Sequence, residues 1–132
     1  MAVRVVRLGS DRSPGEGLRI GTVRRPPRGV RRKDTSIRNF YDVWFPVLAP
    51  SAVAVKAAQD AETERDWARF VRTYRAEMAK PEARATMDLL AALSRHTDFS
   101  IGCYCLDESR CHRSILGDLL RERGALMAGG RR

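Results

Sequence analysis

The chain has 132 residues, 43% of them apolar, with 25 basic and 16 acidic residues and a net charge of +9. That length fits one domain able to bury a core without staples, and three cysteines are too few and odd in number for a disulfide framework. No apolar stretch approaches the ~20 residues of a membrane span, so a membrane protein is not expected.

The charge is uneven. Residues 1–33 hold ten Lys or Arg against Asp11 and Glu16, while the other 99 residues carry 15 basic and 14 acidic groups. A basic block at one end suggests an anionic partner: phosphate, nucleic acid or an acidic surface. Lysine occurs only as Lys33, Lys56 and Lys80, so an arginine-biased composition is the plainer explanation of the same excess.

Taken in order, Ala2 to Leu8 reads as a first strand, with Val3, Val5 and Leu8 among arginines. GSDRSPGEG is a breaker-rich loop, and Leu18 to Val23 reads as a second strand. A link of about nine residues is too short for a helical crossover. The two strands are therefore expected to be antiparallel neighbours or to lie in different sheet regions. Arg24 to Lys33, RRPPRGVRRK, is irregular because of Pro26, Pro27 and Gly29, and its cations are expected to face solvent or an anion. Residues 37–50 hold much of the aromatic content and are broken by Pro46 and Pro50. They are expected to pack irregularly on the core.

Ser51 is placed to cap a short helix through Ala58. A longer helix, Glu62 to Ala79, carries Trp67, Phe70, Val71, Tyr74 and Met78 on one face, with Thr63 and Asp66 as a variant capping box. Pro81 separates it from a third helix, Glu82 to Arg95, with Met87, Leu90 and Leu93 inward. His96 falls near the end of that helix, where the dipole favours a capping role.

FSIGCYCLDESRCHRSILGDLLRERG, residues 99–124, concentrates the chemistry. Phe99, Ile101 and Cys103 alternate as in a strand. A polar turn follows, with Ser109 as a candidate N-cap. Ile115, Leu116, Leu119 and Leu120 form a helical stripe that Gly124 ends. Cys111, His112 and Arg113 then stand in the first helical turn, where ligands bind in open α/β sheets. Ala125 to Ala128 has the makings of a last short strand, and residues 129–132 of a frayed tail.

Several chemistries compete for this stretch. In an anion site, Cys111, Cys103 and His112 would supply catalytic groups beside helix N–H donors. Arg24, Arg25, Arg28, Arg110 and Arg113, with Asp107 and Glu108, would handle the ligand. In a zinc site, Cys103, Cys105, Cys111 and His112 would be the ligands. Adjacent helical Cys111 and His112 should diverge by about 100°, which argues against it, and no resident cofactor is expected. In a thiol redox protein, Cys103–Cys105 or Cys105–Cys111 would pair transiently. Cysteines in a purely structural role, or a nucleic-acid-binding module on the basic block, complete the alternatives. MAVRVVRL lacks the apolar core of a signal peptide, so a reducing cytoplasm is the expected compartment.

GCYCLDESRCHRSILGDLLRERGA resembles the C-terminal signature of the bacterial family known as domain of unknown function 488. Cys103 matches its first Cys, and Cys111, His112 and Arg113 match its Cys-His-Arg. EGLRIGTVRRPPRGV is similar to the YeaO-like branch through Arg24, Arg25, Pro27, Arg28 and Gly29, as are LAPSAVAVKAA and DWARFVRTYRAEM. The family often has Glu where this chain has Cys105. A catalytic role for that Glu would pass here to Asp107 or Glu108. The resemblance implies an α/β, single-domain Rossmann-like sheet with flanking helices, and no assigned activity.

Overall fold

The computed structural model describes residues 1–105 and 110–128. Four parallel strands form one sheet: β1 (Val3–Arg7), β2 (Leu18–Gly21), β3 (Val43–Trp44) and β4 (Phe99–Cys103), in the order β1-β4-β2-β3. Four helices accompany them: α1 (Ala52–Asp60), α2 (Glu64–Met78), α3 (Pro81–Leu93) and α4 (His112–Glu122). This is an α/β, Rossmann-like architecture, as the resemblance implied.

β4 is the centre of the arrangement. All five of its residues are buried, as expected of a strand flanked on both edges in a parallel sheet. Phe99 stands in register with Val3 on one side and Leu18 on the other. The first two strands are therefore neither antiparallel nor adjacent. They run parallel with β4 inserted between them. The ten-residue link, 8–17, contains no helix, yet it suffices. Extended chain covers about 3.3 Å per residue, roughly 33 Å in all, whereas a five-residue strand is only about 17 Å long.

The two faces of the sheet differ in kind. Val3, Ile20, Phe99 and Ile101 join the helices in one core with Phe70, Tyr74, Met78, Met87, Leu116 and Leu120. α4 lies so close over β1 that a Cβ on Gly117 would meet Val5 Cγ2 at 3.1 Å. Loops cover the other face. Tyr41 packs on Gly21, where a Cβ would fall 2.4 Å from its ring. Arg19, wholly buried, reaches the carbonyls of Ser10 and Asn39 at 2.9 and 2.7 Å and the carboxylate of Glu16 at 2.7 and 3.0 Å. A buried ion pair whose Nη1 also donates to two loop carbonyls thus stands where a second helical layer would otherwise pack.

Local signals act as read. Ser51 accepts from the Ala54 N–H at the start of α1. Thr63 and Asp66 form a complete capping box on α2. Phe70, Tyr74 and Met78 are buried and Trp67 is half-buried. Pro81 opens α3, but Leu93 at its end is 38% exposed, and Ser94 takes the C-cap with His96 exposed beyond it. Residues 37–50 contribute β3 and one turn of 3-10 helix, Pro46–Leu48. The arginine segment is irregular through residue 31, then forms a 3-10 turn, Arg32–Asp34. The tail end of the described chain makes a single parallel bridge, Met127 to Val3, rather than a strand. Residues 129–132 lie outside the described residues.

Candidate functional site

Parallel strands point their carboxyl ends the same way, and α/β proteins bind ligands beyond that edge. Here the edge gathers Cys103 at the end of β4, Val23 to Arg28 after β2, and His112 at the start of α4. They line a pocket of about 820 Å³. Its wall includes Arg24, Arg25, Arg28 and Lys56 together with Cys103, Tyr104, Cys105 and His112, and the described lining contains no acidic side chain.

The arginine loop is tied down by its backbone and one guanidinium. Tyr104 donates its hydroxyl to the Arg25 carbonyl at 2.8 Å, and Arg24 Nε donates to the Pro50 carbonyl at 2.8 Å. Burial pushes the Tyr104 phenol well above its ordinary range, so it remains a neutral donor. Arg25 and Arg28 are exposed, and Lys56 pairs with Asp60 on its own helix at 3.0 Å.

Cys111 is the N-cap of α4 rather than a member of its first turn, with extended torsions of φ −134° and ψ 149°. A helical pair of neighbours would diverge by about 100°, but an extended cap obeys no such rule. Its side chain turns back toward β4. Cys103, Cys111 and His112, all buried, bring their two sulfurs and one ring nitrogen within 4.8 Å of one another. This overturns the geometric objection to shared ligation by Cys111 and His112. Cys103 and Cys111 are joined as a disulfide, a pairing that differs from both combinations expected from the sequence.

His112 is held on both sides. Its Nε2 lies 2.6 Å from the Thr22 carbonyl. A carbonyl only accepts, so Nε2 must carry the proton, and Nδ1 presents its lone pair. Nδ1 sits 3.8 Å from Cys111 Sγ, and the ring meets Tyr74 edge-on at 5.5 Å. Burial, with Arg113 nearby, pushes the imidazole down to about 4 against the opposing bond from Thr22. His112 is thus a neutral base at neutral pH, with its lone pair aimed at a sulfur.

Arg113 points inward. Its Nη1 donates to the Cys105 carbonyl at 2.6 Å and approaches Cys103 Sγ at 3.4 Å. It orders the turn after β4 and stands beside the sulfur instead of lining the pocket. Arg110 is not on the pocket wall either. It pairs with Glu64 at 2.7 Å and stacks over Trp67 at 5.4 Å. Cys105 is exposed on the pocket rim. Asp107, Glu108 and the candidate cap Ser109 lie outside the described residues. Sequence reasoning missed Thr22, whose carbonyl fixes the His112 tautomer, and Tyr104. A threonine following a strand and a tyrosine between two cysteines carry no pattern that would single them out.

Fold and site together define an α/β domain with a Cys–His cluster at the carboxyl edge of a parallel sheet. A family model described as the active DUF488-N3 subclade matches residues 3–124. The chain belongs to the DUF488 family. No curated protein and no solved structure matches it significantly.

Proposed function

We propose that the domain binds a small phosphate-bearing or otherwise anionic ligand in the pocket between the arginine loop and the Cys103–His112 wall. The carrying observation is that Arg24, Arg25 and Arg28 share this pocket with Cys103 and His112 and that its described lining has no carboxylate to neutralise them. Exposed guanidiniums next to one another repel, and an anion with two or more acceptor oxygens relieves that repulsion through bidentate hydrogen bonds. The start of α4, at the same edge, adds the positive end of a helix dipole. In the reduced state the neutral His112, its Nδ1 3.8 Å from Cys111 Sγ, would accept a hydrogen bond from the thiol and hold it in place behind the pocket wall. The cytoplasm, where the thiols would be kept reduced, is the compartment this reading assigns.

The test is thermal unfolding with inorganic phosphate and with a nucleoside monophosphate, against sodium chloride of equal ionic strength. Stabilisation of about 2.7 kcal/mol is expected at a hundredfold excess over the dissociation constant. The Arg25→Ala/Arg28→Ala double variant should lose the shift and keep its unliganded midpoint, since both side chains are exposed. An equal shift with chloride, or a shift that survives the double variant, refutes the reading. A shift with a single-stranded oligonucleotide but with neither small anion would move it to nucleic acid.

The Cys103–Cys111 bridge favours a second reading, a thiol redox protein. That reading requires a reversible midpoint in a dithiol–disulfide buffer series, read as alkylation of both cysteines on the reducing side. A bridge that never forms in the wild-type chain at any poise removes it.

A further inference from the structure

We propose that the reduced chain holds one borderline-soft divalent cation of the zinc class through Cys103 Sγ, Cys111 Sγ and His112 Nδ1, with its fourth coordination position open to the arginine-lined pocket. The two sulfurs and a ring nitrogen of His112 already lie within 4.8 Å of one another on buried residues, and Nδ1 stands 3.8 Å from Cys111 Sγ. Two thiolates and one imidazole, with one position left open, form the donor set of a catalytic rather than a closed structural zinc site.

The backbone geometry points the same way. The Cα atoms of Cys103 and Cys111 are 7.6 Å apart, wider than the roughly 4.4–6.8 Å of ordinary disulfides. Sulfurs about 2.3 Å from a shared tetrahedral ion stand roughly 3.8 Å from each other, a span that the wider backbone spacing accommodates.

The surroundings supply what metal ligands need from their neighbours. A ligating histidine normally donates its other ring N–H to a carbonyl or carboxylate, which fixes the tautomer. His112 Nε2 does this to the Thr22 carbonyl at 2.6 Å. Arg113 Nη1 approaches Cys103 Sγ at 3.4 Å, a contact that favours the thiolate a ligand must be. Two thiolates balance the charge of the ion, so the buried cluster gains no net charge beyond Arg113. The pocket touches Cys103 and His112, and through it water or an anion reaches the open position. The site goes beyond the anion reading and is separable from it, since neither Arg25 nor Arg28 is a ligand.

The experiment starts with full-length chain reduced by a phosphine. The phosphine becomes its oxide, water supplying the oxygen and two protons, and the bridge becomes two thiols. After anaerobic removal of the phosphine, Co²⁺ is titrated in as the spectroscopic probe. One ion per chain is expected, with sulfur-to-cobalt charge-transfer absorption and the intense visible bands of a tetrahedral site, both abolished by Zn²⁺. Binding should release protons from the thiols, and the oxidised chain should give no charge-transfer band. Cys111→Ser should lose about half or more of that band, since the Cys103 thiolate remains. His112→Gln should weaken binding by more than about tenfold. Cys105→Ser and His96→Gln should change neither. Circular dichroism identifies the folded variants, and if Cys103→Ser unfolds, Cys111→Ser and His112→Gln carry the assignment. Reduced, folded wild-type chain that takes up less than a stoichiometric ion or shows no charge-transfer band overturns the proposal. So does a band that keeps its full intensity in Cys111→Ser or is lost in Cys105→Ser.

Discussion

Replacing Arg19 with leucine removes the guanidinium that holds the loop-covered face of the sheet together. Arg19 is fully buried and donates to Glu16 twice and to the carbonyls of Ser10 and Asn39. Leucine restores apolar volume but leaves a buried carboxylate without its cation. Breaking a buried pair in this one-sided way costs about 3–5 kcal/mol, a large part of the roughly 5–15 kcal/mol that keeps a domain folded. The two carbonyls add to the loss to the extent that water cannot reach them. Urea unfolding followed by circular dichroism should show the midpoint fall with an unchanged slope. A cycle with Glu16→Gln should give a coupling of about 0.5–3 kcal/mol. The pH dependence supplies an independent sign. Burial pushes the Glu16 carboxyl up, but the Arg19 bond, the Ser13 N–H, the Arg19 charge and Ser100 together hold it below its usual range. A depressed acid stabilises the fold above its unfolded value, about 4.3, and this contribution is lost as pH falls through the folded value. Arg19→Leu should diminish that acid loss, since the Ser13 and Ser100 bonds alone then oppose burial. A cost for Arg19→Leu below about 1 kcal/mol, or strict additivity with Glu16→Gln, would refute the reasoning.

Phe70→Ala should cost about 3–5 kcal/mol in the same assay, because Phe70 is 1% exposed at the centre of the helical layer; a cost under 1 kcal/mol would mean that the site collapses freely. Thr63→Ala should cost about 0.5–2 kcal/mol by removing the side-chain half of the α2 capping box, and Asp66→Ala a comparable amount, with the double variant less than additive. Tyr104→Phe should cost about 0.5–1.5 kcal/mol, and it should speed tryptic cleavage within the arginine loop, since the Tyr104 hydroxyl anchors the Arg25 carbonyl at 2.8 Å. Unchanged cleavage would show that the loop is held by other contacts.

What the sequence by itself determined is mostly local. The alternation of Phe99, Ile101 and Cys103 marks β4, the stripe Ile115, Leu116, Leu119 and Leu120 marks α4, and Gly124, at φ 90°, ends that helix. Thr63 and Asp66 start α2 where the pattern says. These features follow from the periodicity of side chains along a few turns or pleats and from caps that act on neighbouring residues, so no distant partner is needed to read them. The Cys-His-Arg match likewise identified the family from a short stretch. The tertiary structure alone decided the rest. β4 inserts between β1 and β2 and makes them parallel and separated, which excludes the antiparallel pairing that was one of the two expected arrangements, because register is settled by which apolar faces meet across 80 or more residues of chain. Arg19 reads as a surface cation until Glu16, Ser10 and Asn39 are folded around it. Arg113, expected to face a ligand, turns in to the Cys105 carbonyl, and Arg110 turns away to Glu64. Cys111 and His112 converge because the helix begins one residue after the cysteine, leaving it extended. Such outcomes depend on where a long side chain finds a partner far along the chain, and on the conformation of a single cap residue, neither of which is encoded in local spacing.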